Sequence, residues 1–550
     1  MMSETTVYTA KRIHTMSDSQ PEAQAVAVRD GIILEAGTLE SLKPWLANSS
    51  HTIDDRFADK VIMPGFIDPH LHPFIGAVLL PTTFITAFEW DLPGQTALAV
   101  RGRDAYLMRL SEAVATDDNS KPLFLTWGYH QIWHGEITRH DLNAVSTSRP
   151  IIVWHRSFHE IILNDAAIDL LNIDRAVMDR HPQINAETGR FSEMGGMVAL
   201  EGLKPILFSP DWFGHGLEQL HQIIHKGGHT TVADMAWGMF DYEMEWAATG
   251  QSFDKSKPPY RMLVVPRGLP EPELTGSAEE AFARVDALTD REHERLFFNK
   301  RVKFFSDGAF FSELMQMASP GYIDGHEGEW MTAPDQFEEI IRPYWRAGYA
   351  IHVHCTGDLG LEMALDVLEK MQFEKPRFDH RFTIEHFGVS TEEQVQRIKA
   401  LGALVSANVY YMHELGEAYW RKSIGHERAS QMARLGTLKR HGVPFAVHSD
   451  FTMAPASPLL SAWVAVNRFA ESGAVLGEHE RVSVHDAMRA ITIDAAYIMG
   501  MESEIGSIRS GKKADFTILD DDPYEVETTR LKEIRVHATV FEGEVHEIDA

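Results

Sequence analysis

Residues Val61–Pro73 read VIMPGFIDPHLHP, an apolar run that ends in His-x-His. Side chains two apart on a strand point to the same face, so His70 and His72 present two imidazoles together where the strand ends. Paired imidazoles suit a divalent metal. A strand end can also carry two histidines that merely pack or face solvent, so the meaning of the pair depends on what the remaining chain supplies.

The segments nearest the two ends resemble each other in pattern. In AVAVRDGIILEAG, Asp30-Gly31 separates two β-rich runs as a two-residue hairpin turn, and Glu542-Gly543 does the same in RVHATVFEGEVHEI. ADFTILD is another short alternating run. Residues 1–63 and 501–550 are therefore expected to build one small β domain, with residues 64–500 as a large domain between them.

Within 64–500, strand-like runs alternate with helical ones, which argues for βα units and a parallel sheet. AGYAIHVHCTGD is a strand leading into a loop, and Leu361, Leu365, Leu368 and Met371 then recur at helical spacing. FTIEHFGVSTEEQVQRIKALG repeats the plan, with Ser390 or Thr391 as N-cap and Glu393 in the first turn. VPFAVHSD opens a further unit.

A (β/α)8 barrel spends roughly 30 residues per βα unit. By that ruler Lys303, His354, His386 and Asp450 fall on strands 4, 5, 6 and 8 of a TIM-like barrel. His72 precedes Lys303 by 231 residues, far more than three units need, so roughly 140 residues are inserted, at about 80–250. The insertion carries Trp127, Tyr129, Trp133 and Trp154. Loops at the carboxyl ends of barrel strands build substrate pockets, and large aromatics also fill cores, so these rings suit either use.

Composition narrows the class. The chain of 550 residues is 44% hydrophobic and 24% charged, and no apolar run approaches a membrane span. A net charge of -29 argues against nucleic acid or an anionic membrane as partner and favours a small-molecule substrate and metal cations. Cys355 is the single cysteine, and MMSETTVYTAKRIHTM has no secretory pattern, so a cytoplasmic location is expected; a homo-oligomer is compatible.

The chemistry-bearing residues stand where apolar strands meet polar loops. RVKFFSDG places Lys303 inside an apolar strand, where a charged amine is costly unless paired, with Asp307 for example, or converted by CO2 into a carbamate. In IHVHCTGD, His352 and His354 share a face and His354 lies nearer the strand end, leaving His352 as a packed or outer histidine. IEHFG offers His386, with Glu385 expected on the opposite face, and VHSDF offers Asp450. Packing alone does not explain this set at this spacing.

The chain resembles the amidohydrolase superfamily, in the family 3 branch that includes N-substituted formamide deformylases. The resemblance rests on VAVRDGIILEAG, PGFIDPHLHP, RVKFFSDG, HCTGDLGLEMALD, FTIEHFG, GHERA, HSDFTMAP and GSIRSGKKADFTILDDDP, and covers nearly the whole chain. It implies an α/β fold, a (β/α)8 barrel with a small β-sandwich formed by both termini. It also implies that His70, His72 and Asp450 hold one ion, that His354 and His386 hold a second, and that carbamylated Lys303 bridges them; an unmodified Lys303 leaves one ion. His448 departs from the pattern, standing where relatives usually have a small residue such as glycine.

Imidazole and carboxylate ligands suit zinc, which lowers the pKa of water from about 15.7 towards 7. The expected reaction is hydrolysis of a C–N bond in an amide, N-formyl or cyclic amide, with Asp450 taking the proton of the attacking water and passing it to the leaving nitrogen. ANVYYMHELGEAYW is expected as the loop after strand 7, with Tyr410, Tyr411 and His413 facing a hydrophobic or aromatic substrate. A metal-dependent lyase or isomerase on the same barrel, or a non-catalytic binding or regulatory protein, are the alternatives.

Overall fold

The structure, a computed structural model, describes residues 4–47, 50–192, 194–269 and 276–548. It divides into two compact units, Met1–His72 with Ile224–Ala550, and Pro73–Ile223.

The first unit begins with β1 (Thr5–His14), β2 (Glu22–Arg29), β3 (Ile32–Gly37), β4 (His51–Asp54) and β5 (Val61–Pro64). Parallel strands follow: β6 (Phe66–Leu71), β7 (His229–Trp237), β8 (Arg261–Pro266), β9 (Arg301–Phe305), β10 (Ala350–Cys355), β11 (Thr383–His386), β12 (Leu404–Ala407) and β13 (Phe445–Val447). The unit ends with β14 (Phe516–Leu519), β15 (Val536–Phe541) and β16 (Glu544–Glu547).

Both ends of the chain meet in one sheet, ordered β16-β15-β14-β5-β1-β2-β3 with β4 paired to β1. Its halves share a core in which Val26 and Ile33 from the amino end meet Phe516 and Val540 from the carboxyl end. Arg29 pairs with Ile32 across Asp30-Gly31, and Phe541 pairs with Glu544 across Glu542-Gly543. Both residues of each turn have positive φ, as a two-residue hairpin turn requires. The two turns meet: a Cβ on Gly31 would lie 2.8 Å from the Glu542 carbonyl oxygen.

The parallel strands form two hydrogen-bonded sheets. Leu296–Phe297, β8, β7 and β6 make one, and β9 to β13 in sequence order make the other. Among the described residues no ladder joins them. They touch at a parallel bridge between Arg267 and Lys303 on one side. On the other, Asp450 N donates to His70 O at 3.0 Å and His72 N to Phe451 O at 3.0 Å. Ile67, Met235, Leu263, Leu404 and Ala446, from strands of both sheets, share a core with Ile498 and Met499. The helix after β10, α1 (Asp358–Glu374), buries Leu361, Leu365, Leu368 and Met371, and α2 (Glu392–Leu401) starts on a capping box between Thr391 and Gln394.

The second unit holds a six-stranded sheet of its own, including Phe124–Tyr129 and Ile151–His155, packed on Tyr106, Leu110 and Leu142. It ends at Ile223, whereas the expected insertion ran to about 250. The difference is β7: all nine of its residues are buried, between β6 and β8, yet Thr230, Thr231 and Asp234 interrupt the apolar run that would announce a buried parallel strand. Among the described residues, no helix is long and apolar enough to cross a membrane.

In the first unit Arg261 on β8 is buried and binds Thr231, Asp515 and Glu542, tying the parallel sheet to the terminal one. Removing one partner of a buried pair leaves an uncompensated charge. Arg261→Met should lower stability by about 3–5 kcal/mol in chemical denaturation; an unchanged midpoint would show that the pair holds nothing together.

Candidate metal centre

The polar cluster at the carboxyl ends of the parallel strands is built around Glu385. This carboxylate is fully buried, with Oε2 2.7 Å from His70 Nδ1 and Oε1 2.6 Å from His352 Nδ1. Burial pushes Glu385 up, but the hydrogen bond from His352 and the charge of Lys303 outweigh it, so the carboxyl sits below its usual range. Its expected position on the opposite face is corrected. Strict alternation would separate Glu385 from His386, but His386 has a φ of 69°, which ends the pleat and brings both side chains into one cluster.

Asp450 also lies in the left-handed region, at φ 54°. Its Oδ1 is 3.1 Å from His72 Nε2 and 3.5 Å from His70 Nε2, and its Oδ2 is 3.4 Å from His386 Nδ1. The loop that carries it is pinned by Asp68 on β6, which accepts from Ser449 N and Oγ and from His70 N. Burial pushes the Asp68 carboxyl up to about 7 against those donors.

His354 ends beside His386, with ring centroids 4.4 Å apart. His352 is held away from the strand end by Glu385 and by Arg301, whose Nη1 is 3.0 Å from His352 Nε2. Lys303 is fully buried, and its Nζ has no hydrogen-bond partner. Burial lowers its pKa to about 8, opposed by Glu385 and Asp450. A salt bridge to Asp307 is not formed, because Asp307 is taken up by the backbone N–H groups of Gln316, Thr356 and Gly357.

Among the described residues, two groups of side chains bring ligand atoms within 4.8 Å of one another: His70, His72 and Asp450, and His70, His386 and His448. The donor chemistry fits a divalent ion. His70 Nε2, His72 Nδ1 and His448 Nε2 are buried without a hydrogen-bond partner, which is costly unless another acceptor of their lone pairs is present. Burial pushes His70 and His386 well below the usual histidine range and His448 to about 4, so these rings are neutral, the form that ligates.

The expected substrate residues separate into three places. Tyr411 joins the centre, its hydroxyl 3.3 Å from His386 Nδ1 and 3.5 Å from Asp450 Oδ2, with its ring stacked on Phe310 at 4.2 Å. It lies in the first turn of a helix, α3 (Tyr410–Lys422), where a loop was expected; Tyr411, Leu415 and Tyr419 form its buried stripe. Tyr410 is buried beside His413, and His413 turns its Nδ1 to the Phe469 carbonyl at 2.7 Å. Trp127 and Tyr129 are fully buried in the core of the second unit, and Trp133 lies half-buried against Phe88 there.

His448 lay outside the expected ligand set. The signal for it was the spacing His448-x-Asp450, the same period of two that singled out His70 and His72.

A profile described as "Amidohydrolase family" matches residues 58–546, and the chain belongs to that family. YtcJ of Bacillus subtilis (strain 168) is 25% identical over 97% of each chain. The N-substituted formamide deformylase of Arthrobacter pascens is 24% identical over 96% of each. Among solved structures, an uncharacterized metal-dependent hydrolase from Pyrococcus horikoshii OT3 superposes with a TM-score of 0.73 at 21% identity, covering 95% of this chain and 99% of that one. The fold is thus that of an amidohydrolase-family metal-dependent hydrolase.

Replacing Glu385 by Gln removes the charge that orients His70. Affinity for an added divalent ion should fall about 10–100-fold, the usual consequence of losing a partner behind a metal ligand, as read by competition with a chelator. Wild-type affinity would mean that Glu385 serves only the packing of His352.

Proposed function

We propose that this member of the amidohydrolase family hydrolyses a C–N bond in a small amide, N-formyl compound or cyclic amide with a hydrophobic or aromatic substituent. The observation that carries the reading is Asp450, a carboxylate placed among imidazoles whose free nitrogens have no partner. The architecture read with it is a (β/α)8 barrel. Strands β6 to β13 run in sequence order, and the bridges at Arg267–Lys303 and His70–Asp450 are its two seams. The terminal sheet is read as the small β-sandwich.

His70, His72, His386, His448 and Asp450 are the residues that would hold the ion, with zinc favoured by their nitrogen and oxygen donors. Bound there, a zinc ion supplies Lewis acidity towards the substrate carbonyl and acidifies water.

The chain's own groups do the rest. Asp450 Oδ1 is engaged by His72, so Oδ2 is the oxygen that takes the proton of the attacking water and delivers it to the leaving nitrogen. The Tyr411 hydroxyl, held by the Phe310 stack, steadies that oxygen and is placed to donate to the substrate carbonyl. The deformylase of A. pascens supports an N-formyl substrate by its name.

Asp450→Asn should reduce turnover by at least about 100-fold while the protein keeps its metal, since general acid–base groups contribute about 10²–10⁴-fold. The assay is a panel of N-acyl, N-formyl and cyclic amides with zinc and bicarbonate, run in ¹⁸O-water. Undiminished turnover in the variant, or product without solvent oxygen, would overturn the reading and favour a lyase or isomerase.

A further inference from the structure

We propose that Phe310 and Tyr419 are positioning residues for the reaction: with Tyr411 they form a stack of three rings that fixes where the Tyr411 hydroxyl stands beside Asp450. The inference rests on the role given to that hydroxyl in the proposed function and concerns what holds it in place.

The hydroxyl lies 3.3 Å from His386 Nδ1 and 3.5 Å from Asp450 Oδ2. Both distances exceed the roughly 2.5–3.0 Å of a well-made hydroxyl hydrogen bond, so these contacts by themselves hold the oxygen loosely. A tyrosine hydroxyl is placed by two side-chain torsions, and the second is soft. Fixing the position and plane of the ring fixes both.

Phe310 supplies that constraint. Its ring centroid is 4.2 Å from that of Tyr411 at an interplanar angle of 6°, and 5.1 Å from that of Tyr419 at 15°. Tyr411 and Tyr419 share one face of α3, about two helical turns apart. The helix thus offers two nearly parallel rings, and Phe310, from the segment after β9, stacks on both. Phe311 meets the Tyr411 ring at 5.6 Å and 76°, edge to face. Phe310, Phe311, Tyr411 and Tyr419 are all buried, so a shift of one ring displaces its neighbours.

The inserted ring is itself anchored twice. The Tyr419 hydroxyl donates to the Phe310 carbonyl, so the residue that stacks on the ring also holds its backbone. On another side the ring rests on Gly388, where a Cβ would lie 2.7 Å from Phe310 Cδ2 and 2.8 Å from Cε2. Only a glycine leaves that space. The glycine of FTIEHFG therefore seats Phe310 two residues beyond His386, and the stack ties the segment after β9 and helix α3 to the strand end that carries a candidate ligand.

The test uses the full zinc-loaded chain and the amide panel. Phe310→Leu should lower kcat about 10–100-fold with metal content unchanged, the scale expected for an ångström of misplacement. Made in a Tyr411→Phe background, the same change should cost less than about 3-fold, because the group it places is already gone. Tyr419→Phe keeps the ring and removes only its hold on the Phe310 carbonyl; it should lower kcat about 3–10-fold, the worth of one hydrogen bond, and be silent in the Tyr411→Phe background. A fluorine label on the Tyr411 ring reads the stack without turnover, and its resonance should move in Phe310→Leu. Equal costs of Phe310→Leu in the two backgrounds, or a fluorine resonance that neither variant moves, would overturn the inference and leave the proposed function standing. A wild type that hydrolyses no amide sinks the proposed function, and the fluorine resonance then decides the stack alone.

Discussion

The cluster depends on one buried charge. Among the described residues, Glu385 carries the only carboxylate hydrogen-bonded to both His70 and His352, and each of its oxygens is spent on one of those rings. Without that charge, His70 could carry its proton on either nitrogen and point its free lone pair either way. With it, Nδ1 is committed and Nε2 is aimed at Asp450 and His448. A carboxylate at zero exposure is tolerated because His352 and Lys303 offset its desolvation, and Lys303 in turn is kept charged less easily than an exposed lysine. The groups are arranged so that each one's burial is paid by its neighbour.

This arrangement needs strands from both parallel sheets to converge. His70 comes from β6, Lys303 from β9, His352 and His354 from β10, Glu385 and His386 from β11, and His448 follows β13. Backbone contacts draw the two sheets together beside the cluster itself, where Asp450 N reaches His70 O and Lys303 O accepts from Gly268 N. Asp68 repeats the tie through side chains by gripping Ser449. The same stretch therefore closes the sheets and positions Asp450, and this explains why its backbone accepts a positive φ there.

Much of this was legible in the sequence, and what was not has local causes. His70 and His72 follow from period-two alternation on an apolar strand, and the terminal hairpins from Asp30-Gly31 and Glu542-Gly543. Glu385 was misplaced because alternation holds only while the strand lasts, and a φ of 69° at His386 cannot be read from residue types. Helix α3 was missed because Gly416 and the aromatic content of YYMHELGEAYW mask the stripe of Tyr411, Leu415 and Tyr419. The far edge of the insertion was obscured by the polar residues of β7. Trp127 and Tyr129 carry no mark in sequence that tells core from pocket, and only their burial assigns them to packing.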